Sequence, residues 1–148
     1  MTLKLSHQWP QDEEDYVIQT GIRFADEVNK RSGGAIKIEF YPAGSLAKAV
    51  EQFRAMRQGI IDMSIYPYIY AAGEIPELNI VLGPWANTHD NFFAFGRSKV
   101  WEFLEKKIND AGVKSLCWIQ IAGGIASRDK PIRRPADVKG LKIRAGGK

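Results

Sequence analysis

Cysteine is almost missing from this chain. Cys117 stands alone, which excludes an internal disulfide and a zinc site built on paired thiolates. Histidine is nearly as scarce: His7 and His89 are the only two, and they lie far apart. No apolar run approaches the ~20 residues that a membrane-spanning helix needs. The G-x-S-x-G turn that presents a nucleophilic serine does not occur. Neither does G-x-G-x-x-G, so a dinucleotide fold has little support. The closing Gly146-Gly147-Lys148 imitates a phosphate loop only superficially, because Lys142 stands where that loop needs its first glycine and no Ser or Thr follows. Residues 128–148 contain no aromatic side chain, which argues against a nucleic-acid surface that stacks bases between its cations.

What is present fits a globular α/β domain. The chain has 148 residues and is 45% hydrophobic, enough for one domain with its own core. Charge is unevenly spread. Residues 1–127 carry a balance of −2, whereas residues 128–148 carry +6. A basic end of this kind suits an anionic partner.

Hydrophobic periods alternate between two and about 3.6 residues along the chain. Residues 3–9, LKLSHQW, alternate as a strand. The acidic run from Asp12 to Asp15 suits a helix start, and Ile18, Ile22, Ala25 and Val28 give that helix its apolar stripe, with Gly33-Gly34 as the stop. IKIEFY is a second strand and PAGS a turn. Leu46, Ala49, Val50, Phe53 and Met56 mark a second helix, and IIDMSIY is a third strand. Residues 66–89 form an irregular aromatic stretch. Thr88 caps a predicted helix to about Asn109, with Phe93, Val100, Trp101, Leu104 and Ile108 facing inward. KSLCWIQIAGG is a predicted fourth strand, and the chain finishes on LKIR, a strand with Lys142 and Arg144 on one face.

Strand–helix repetition of this order predicts a mostly parallel sheet flanked by helices. Ligands bind such sheets beyond the carboxyl ends of the strands, which brings forward His7, Trp9, Tyr66, Tyr68 and Trp85 as lining for a pocket. His7 reads first as a strand-end polar residue and second as a ligand contact, and His89 as a first-turn helix residue. Cys117, in the apolar run LCWI, is expected in the core, as are Trp101 and Trp118. The inventory favours binding over catalysis. The alternative is a small α/β enzyme acting on an acidic metabolite, with Asp62 or His7 as base.

Four segments are more specific: LKLSHQWP, FADEVNKRSGGAIKIEFYPAGSLAKAVEQFRAMRQGIIDMS, IPELNIVLGPW and KPIRRPADVKGLKIRAGG. They resemble, almost end to end, the DctP-type solute-binding proteins of tripartite ATP-independent periplasmic (TRAP) transporters. The resemblance implies a periplasmic-binding-protein-like α/β fold whose two lobes close on a small organic acid. That acid is then handed to TRAP membrane subunits, so the membrane is met only through those partners, with no cofactor and no nucleic acid. It further implies a first lobe over residues 1–124 and a crossover with the first strand of a second, largely missing lobe over residues 125–148. A periplasmic location is expected, although an export signal is absent from these residues. The family's carboxylate-binding arginine falls on Arg144, whose planar guanidinium can donate two parallel hydrogen bonds to a carboxylate. A second arginine found in sialic-acid-binding members falls on Gly124, a departure from that pattern, and Arg128 is the nearest substitute.

Overall fold

The structure is a computed structural model in which residues 1–83, 88–121, 124 and 126–144 are described. Three strands form one sheet: β1 (Thr2–His7), β2 (Lys37–Tyr41) and β3 (Met63–Ile65), in the order β2-β1-β3 and parallel throughout. Leu5 lies opposite Phe40 on one side and Met63 on the other. The sheet is thus a parallel one, as the alternating periods predict.

Helix α1 (Tyr16–Arg31) joins β1 to β2. Asp15 precedes it, and its carboxylate accepts from the Val17 and Ile18 amides at 2.7 and 3.4 Å. The acidic run therefore ends in a capping residue and does not occupy the first turn. Gly33 and Gly34 take φ of +61° and +84°, and their amides close the helix on Lys30 and Asn29 at 3.1 and 2.9 Å. Gly21 lets α1 press against the sheet, since a Cβ there would come within 2.8 Å of the Ile65 side chain and 3.2 Å of Phe40. Leu5, Ala25 and Ile38 form the buried centre of this layer, with Phe24, Val28 and Met63 around them.

A second core lies around Phe53, Leu78, Trp101, Leu104 and Ile108. Phe53 comes from the short helix α2 (Gln52–Arg57), which a 3-10 turn at Ala49–Glu51 introduces. The stripe predicted here is only partly inward: Leu46 and Val50 are exposed, and Gln52 is fully buried instead. The aromatic stretch after β3 is not a bare loop. Two 3-10 turns, Tyr68–Ala71 and Pro76–Leu82, bury Ile69, Ala71 and Leu78.

The helix predicted from Thr88 to Asn109 is two helices, α3 (His89–Gly96) and α4 (Lys99–Asp110). Thr88 caps the first through its hydroxyl, 3.2 Å from the Asn91 amide. The break follows from Gly96, a poor helix former, and from Ser98, whose hydroxyl accepts from the Trp101 amide at 3.2 Å and starts a new helix. Trp101, Leu104 and Ile108 face inward as expected, whereas Phe93 and Val100 are exposed.

Residues 113–121 depart further from expectation. They form no strand ladder among the described residues. Side chains hold this segment. The Trp118 ring lies 4.1 Å from that of Trp101 and 5.3 Å from that of Phe92, and it sits where a Cβ on Gly96 would overlap it. Tyr68 and Ser115 hydroxyls meet at 2.6 Å, and the Tyr16 hydroxyl donates to the Gln120 carbonyl at 3.0 Å. Because Trp118 turns inward, Cys117 turns out and is exposed, contrary to its expected core position. Residues 141–144 likewise form no ladder, and Leu141 and Ile143 are exposed. An extended segment becomes a strand only when a neighbour supplies its backbone partners. Among the described residues, no helix is long and apolar enough to cross a membrane.

Candidate ligand-binding site

All three strands run the same way, so His7, Tyr41 and Ile65 mark a common carboxyl edge. Three loops leave it. The loop after β2 folds back over the end of β1: Ala43 and Gly44 adopt φ of +52° and +68°, and their amides donate to the Trp9 and His7 carbonyls, each at 2.9 Å. Positive φ is costly for most residues and natural for glycine, which gives the P-A-G-S segment a mechanical reason. It ties two strand ends together at the edge where ligands bind such sheets.

His7 is wholly buried beneath this loop. Its ring lies 6.5 Å from Trp9 and edge-on to Phe40 at 6.2 Å. Neither ring nitrogen meets a hydrogen-bond partner of good geometry among the described residues. Burial pushes its pKa below the usual 6.5, opposed by the Gln11 side chain, the Trp9 backbone and Asp15, so the neutral imidazole is favoured. Trp9 is half-buried beside it.

Tyr66 follows β3 directly and stacks on Phe53 at 6.1 Å. Its hydroxyl is buried without a partner among the described residues. Burial, with Glu74 and Tyr70 adding to it, pushes its pKa well above the ordinary tyrosine value, so it stays protonated. Tyr68 turns into the second core, edge-on to Trp101 at 5.5 Å, and its hydroxyl is engaged by Ser115. His7 and Trp9 therefore meet at the carboxyl edge, whereas Tyr66, just after β3, and Tyr68 both pack against the second core. Trp85 lies outside the described residues.

The two arginines lie in the C-terminal segment. Arg128 is 91% exposed and pairs with Asp129 at 3.1 Å. It belongs to an open groove of about 600 Å³ formed by residues 126–132. Arg144 is exposed at the end of the described chain. The turn before it is well made: Asp137 accepts from the amides of Arg133 and Arg134, both at 3.0 Å. Gly140 then takes φ of +79° and the Leu141 amide returns to Val138 at 3.1 Å. This accounts for the P-A-D-V-K-G-L pattern, where the aspartate builds the turn and the glycine reverses it.

Asp62 stands at the other end of the sheet. Its carboxylate accepts from the Lys4 amide at 2.7 Å, three residues upstream of His7 and so about 10 Å away along the strand. The two residues considered as bases are not brought together. Among the described residues no cluster of His, Cys, Asp or Glu has the spacing to hold a metal ion. The buried Gln52 beneath the edge carries no sequence signal of its own, since amides are mostly exposed.

A parallel sheet whose carboxyl edge carries polar and aromatic residues is an α/β lobe with its loops where such sheets bind ligands. Residues 5–147 match the DctP family model, described as bacterial extracellular solute-binding protein, family 7. The chain belongs to that family. A solute-binding protein of Albidiferax ferrireducens is 43% identical over 99% of this chain and 44% of its own length. The C4-dicarboxylate-binding protein DctB of Bacillus subtilis is 32% identical over 82% of this chain and 35% of its own. Among solved structures, a TRAP periplasmic solute-binding protein from Rhodoferax ferrireducens with bound malonate superposes with a TM-score of 0.91 at 43% identity, covering 98% of this chain and 47% of that one. A TRAP protein of Ralstonia eutropha with bound (S)-2-acetolactate gives 0.68 at 28% identity, over 76% of this chain and 36% of that one. The chain thus spans less than half the length of these relatives, and its fold is that of a TRAP solute-binding lobe.

Proposed function

We propose that this chain is part of an extracytoplasmic receptor that captures a small organic acid and delivers it to the membrane subunits of a TRAP transporter. The observation that carries this reading is the superposition, over nearly all of the chain, on a malonate-bound relative at 43% identity. Residues 1–124 form the first lobe, and residues 125–148 lead into the second. Closure of the two lobes about a hinge traps the ligand, because only the closed form lets both walls touch it. The receptor works in the periplasm, where such proteins meet their solutes.

Arg144 is the anchor. A guanidinium in a cleft emptied of water holds a carboxylate by two charge-assisted hydrogen bonds, and it selects for acids over neutral solutes of the same shape. Arg128 offers a second cation from the segment before it. Trp9 supplies an apolar wall with His7 beneath it, and Tyr66 and Tyr68 back the site from the second core. Malonate and other short dicarboxylates head the candidates.

Titration calorimetry of the full-length protein against malonate, succinate, acetolactate and their amides tests this. Acids should bind and amides should not. Arg144→Ala should lower affinity about 100-fold, which corresponds to about 2.7 kcal/mol, while Arg144→Lys recovers only part of it. Equal affinity in wild type and Arg144→Ala would remove that side chain from the site.

A further inference from the structure

A buried polar strip runs beneath the carboxyl edge of the sheet, on the α2 side. Gln52 is wholly buried and uses both ends of its amide. Its Nε2 donates to the Ala47 carbonyl at 3.1 Å, and its Oε1 accepts from the Ser64 hydroxyl at 2.6 Å. One side chain of α2 thereby joins β3 to the loop after β2. Ser6, directly opposite Ser64 in the β1–β3 register, presents a fully buried hydroxyl on the same face.

Gly44 fastens the near end of that loop to His7 at the end of β1, and Ala43 fastens it to Trp9 just beyond, through their amides. Gln52 fastens its far end, at Ala47, to β3. The loop is therefore clamped at both ends to two adjacent strands, just where it covers His7 and holds the Trp9 carbonyl. Burying an amide costs free energy unless its hydrogen bonds are made, and a leucine would fill the space without that cost. An apolar residue there would pack but would not choose a position for Ala47.

We infer that Gln52 and Ser64 are positioning residues: they lock loop 42–48 onto the carboxyl edge and thereby fix Trp9 in the acid-binding cleft. This rests on the proposed function for its second half only, since the clamp itself is a property of the fold. Gln52 is wholly buried and acts through the loop.

The test uses Ser64→Ala, Ser64→Thr and Gln52→Leu in the full-length protein, with two measurements. Amide hydrogen exchange by NMR should show Ala43 and Gly44 losing protection about tenfold relative to Leu5 in Ser64→Ala and Gln52→Leu. Malonate affinity, measured where each variant is fully folded, should fall about tenfold in the same two. Ser64→Thr, which keeps the hydroxyl, should restore both. Protection at Ala43 and Gly44 that stays level with Leu5 would overturn the clamp. A loosened loop with unchanged malonate affinity would overturn its role in the cleft. Should wild type bind no acid at all, the proposed function fails, and the exchange data still decide the clamp.

Discussion

Residues 2–65 and residues 113–144 are built on different terms. In the first region every strand has a neighbour and every helix has a sheet or core beneath it, so backbone and side chains agree. In the second, aromatic packing and hydroxyl contacts hold residues 115–120, a 3-10 turn shapes residues 135–138, and among the described residues the backbone joins no ladder. Leu5, Ile18, Ile38 and Phe53 are buried in the first, whereas Leu116, Ile121, Leu141 and Ile143 are exposed in the second. Apolar alternation is equally clear in both. The difference shows that a period of two states which residues would share a face, not whether anything lies against that face.

Core truncation should expose this contrast most sharply. Leu104, fully buried beside Trp101, should cost about 3 kcal/mol as Leu104→Ala in urea unfolding. Leu116, 62% exposed, should change stability by less than about 0.5 kcal/mol when made alanine. Similar losses at the two positions would mean that the C-terminal segment is packed as tightly as the core.

Capping gives an intermediate effect. Asp15→Ala removes the acceptor for the Val17 and Ile18 amides and should cost about 1 kcal/mol. Asp12→Ala should cost less, because Asp12 receives only the Glu14 amide within its own loop. Parity between them would show that the acidic run acts by bulk charge, not through one cap.

The smallest effect is on pH dependence. His7 has a folded pKa lowered by burial, so below about 6.5 the unfolded chain takes up a proton that the folded chain refuses. The stability due to neutral His7 is complete above that value and is lost as pH falls towards the folded pKa. His7→Met should therefore flatten the decline in melting temperature between pH 7.5 and 5.5. An unaltered slope would place the acid sensitivity in other groups.

Loops at the carboxyl edge follow from strand direction, so the placing of His7 at the end of β1, Trp9 just beyond it and Tyr66 just after β3 was legible by position alone. The direction of the Tyr68 ring was not legible: the 3-10 turn at Tyr68–Ala71 packs it edge-on to Trp101, and such a turn has no strong apolar period. Gln52 was overlooked because an amide reads as a surface residue until its two partners are seen. Cys117 was assigned to the core from its apolar neighbours, yet Trp118 takes the inward place.

The order β1-α1-β2-α2-β3, the parallel sense of the sheet, the caps at Asp15 and Thr88, the Gly33-Gly34 stop and membership of a solute-binding family were all determined by the sequence. Only the tertiary structure decided which apolar faces find a partner, where α3 gives way to α4, and that a buried amide ties the loop after β2 to β3. Propensity and period act between residues a few positions apart, whereas ladders, burial and the fate of a buried polar group depend on segments that meet only after the chain has folded.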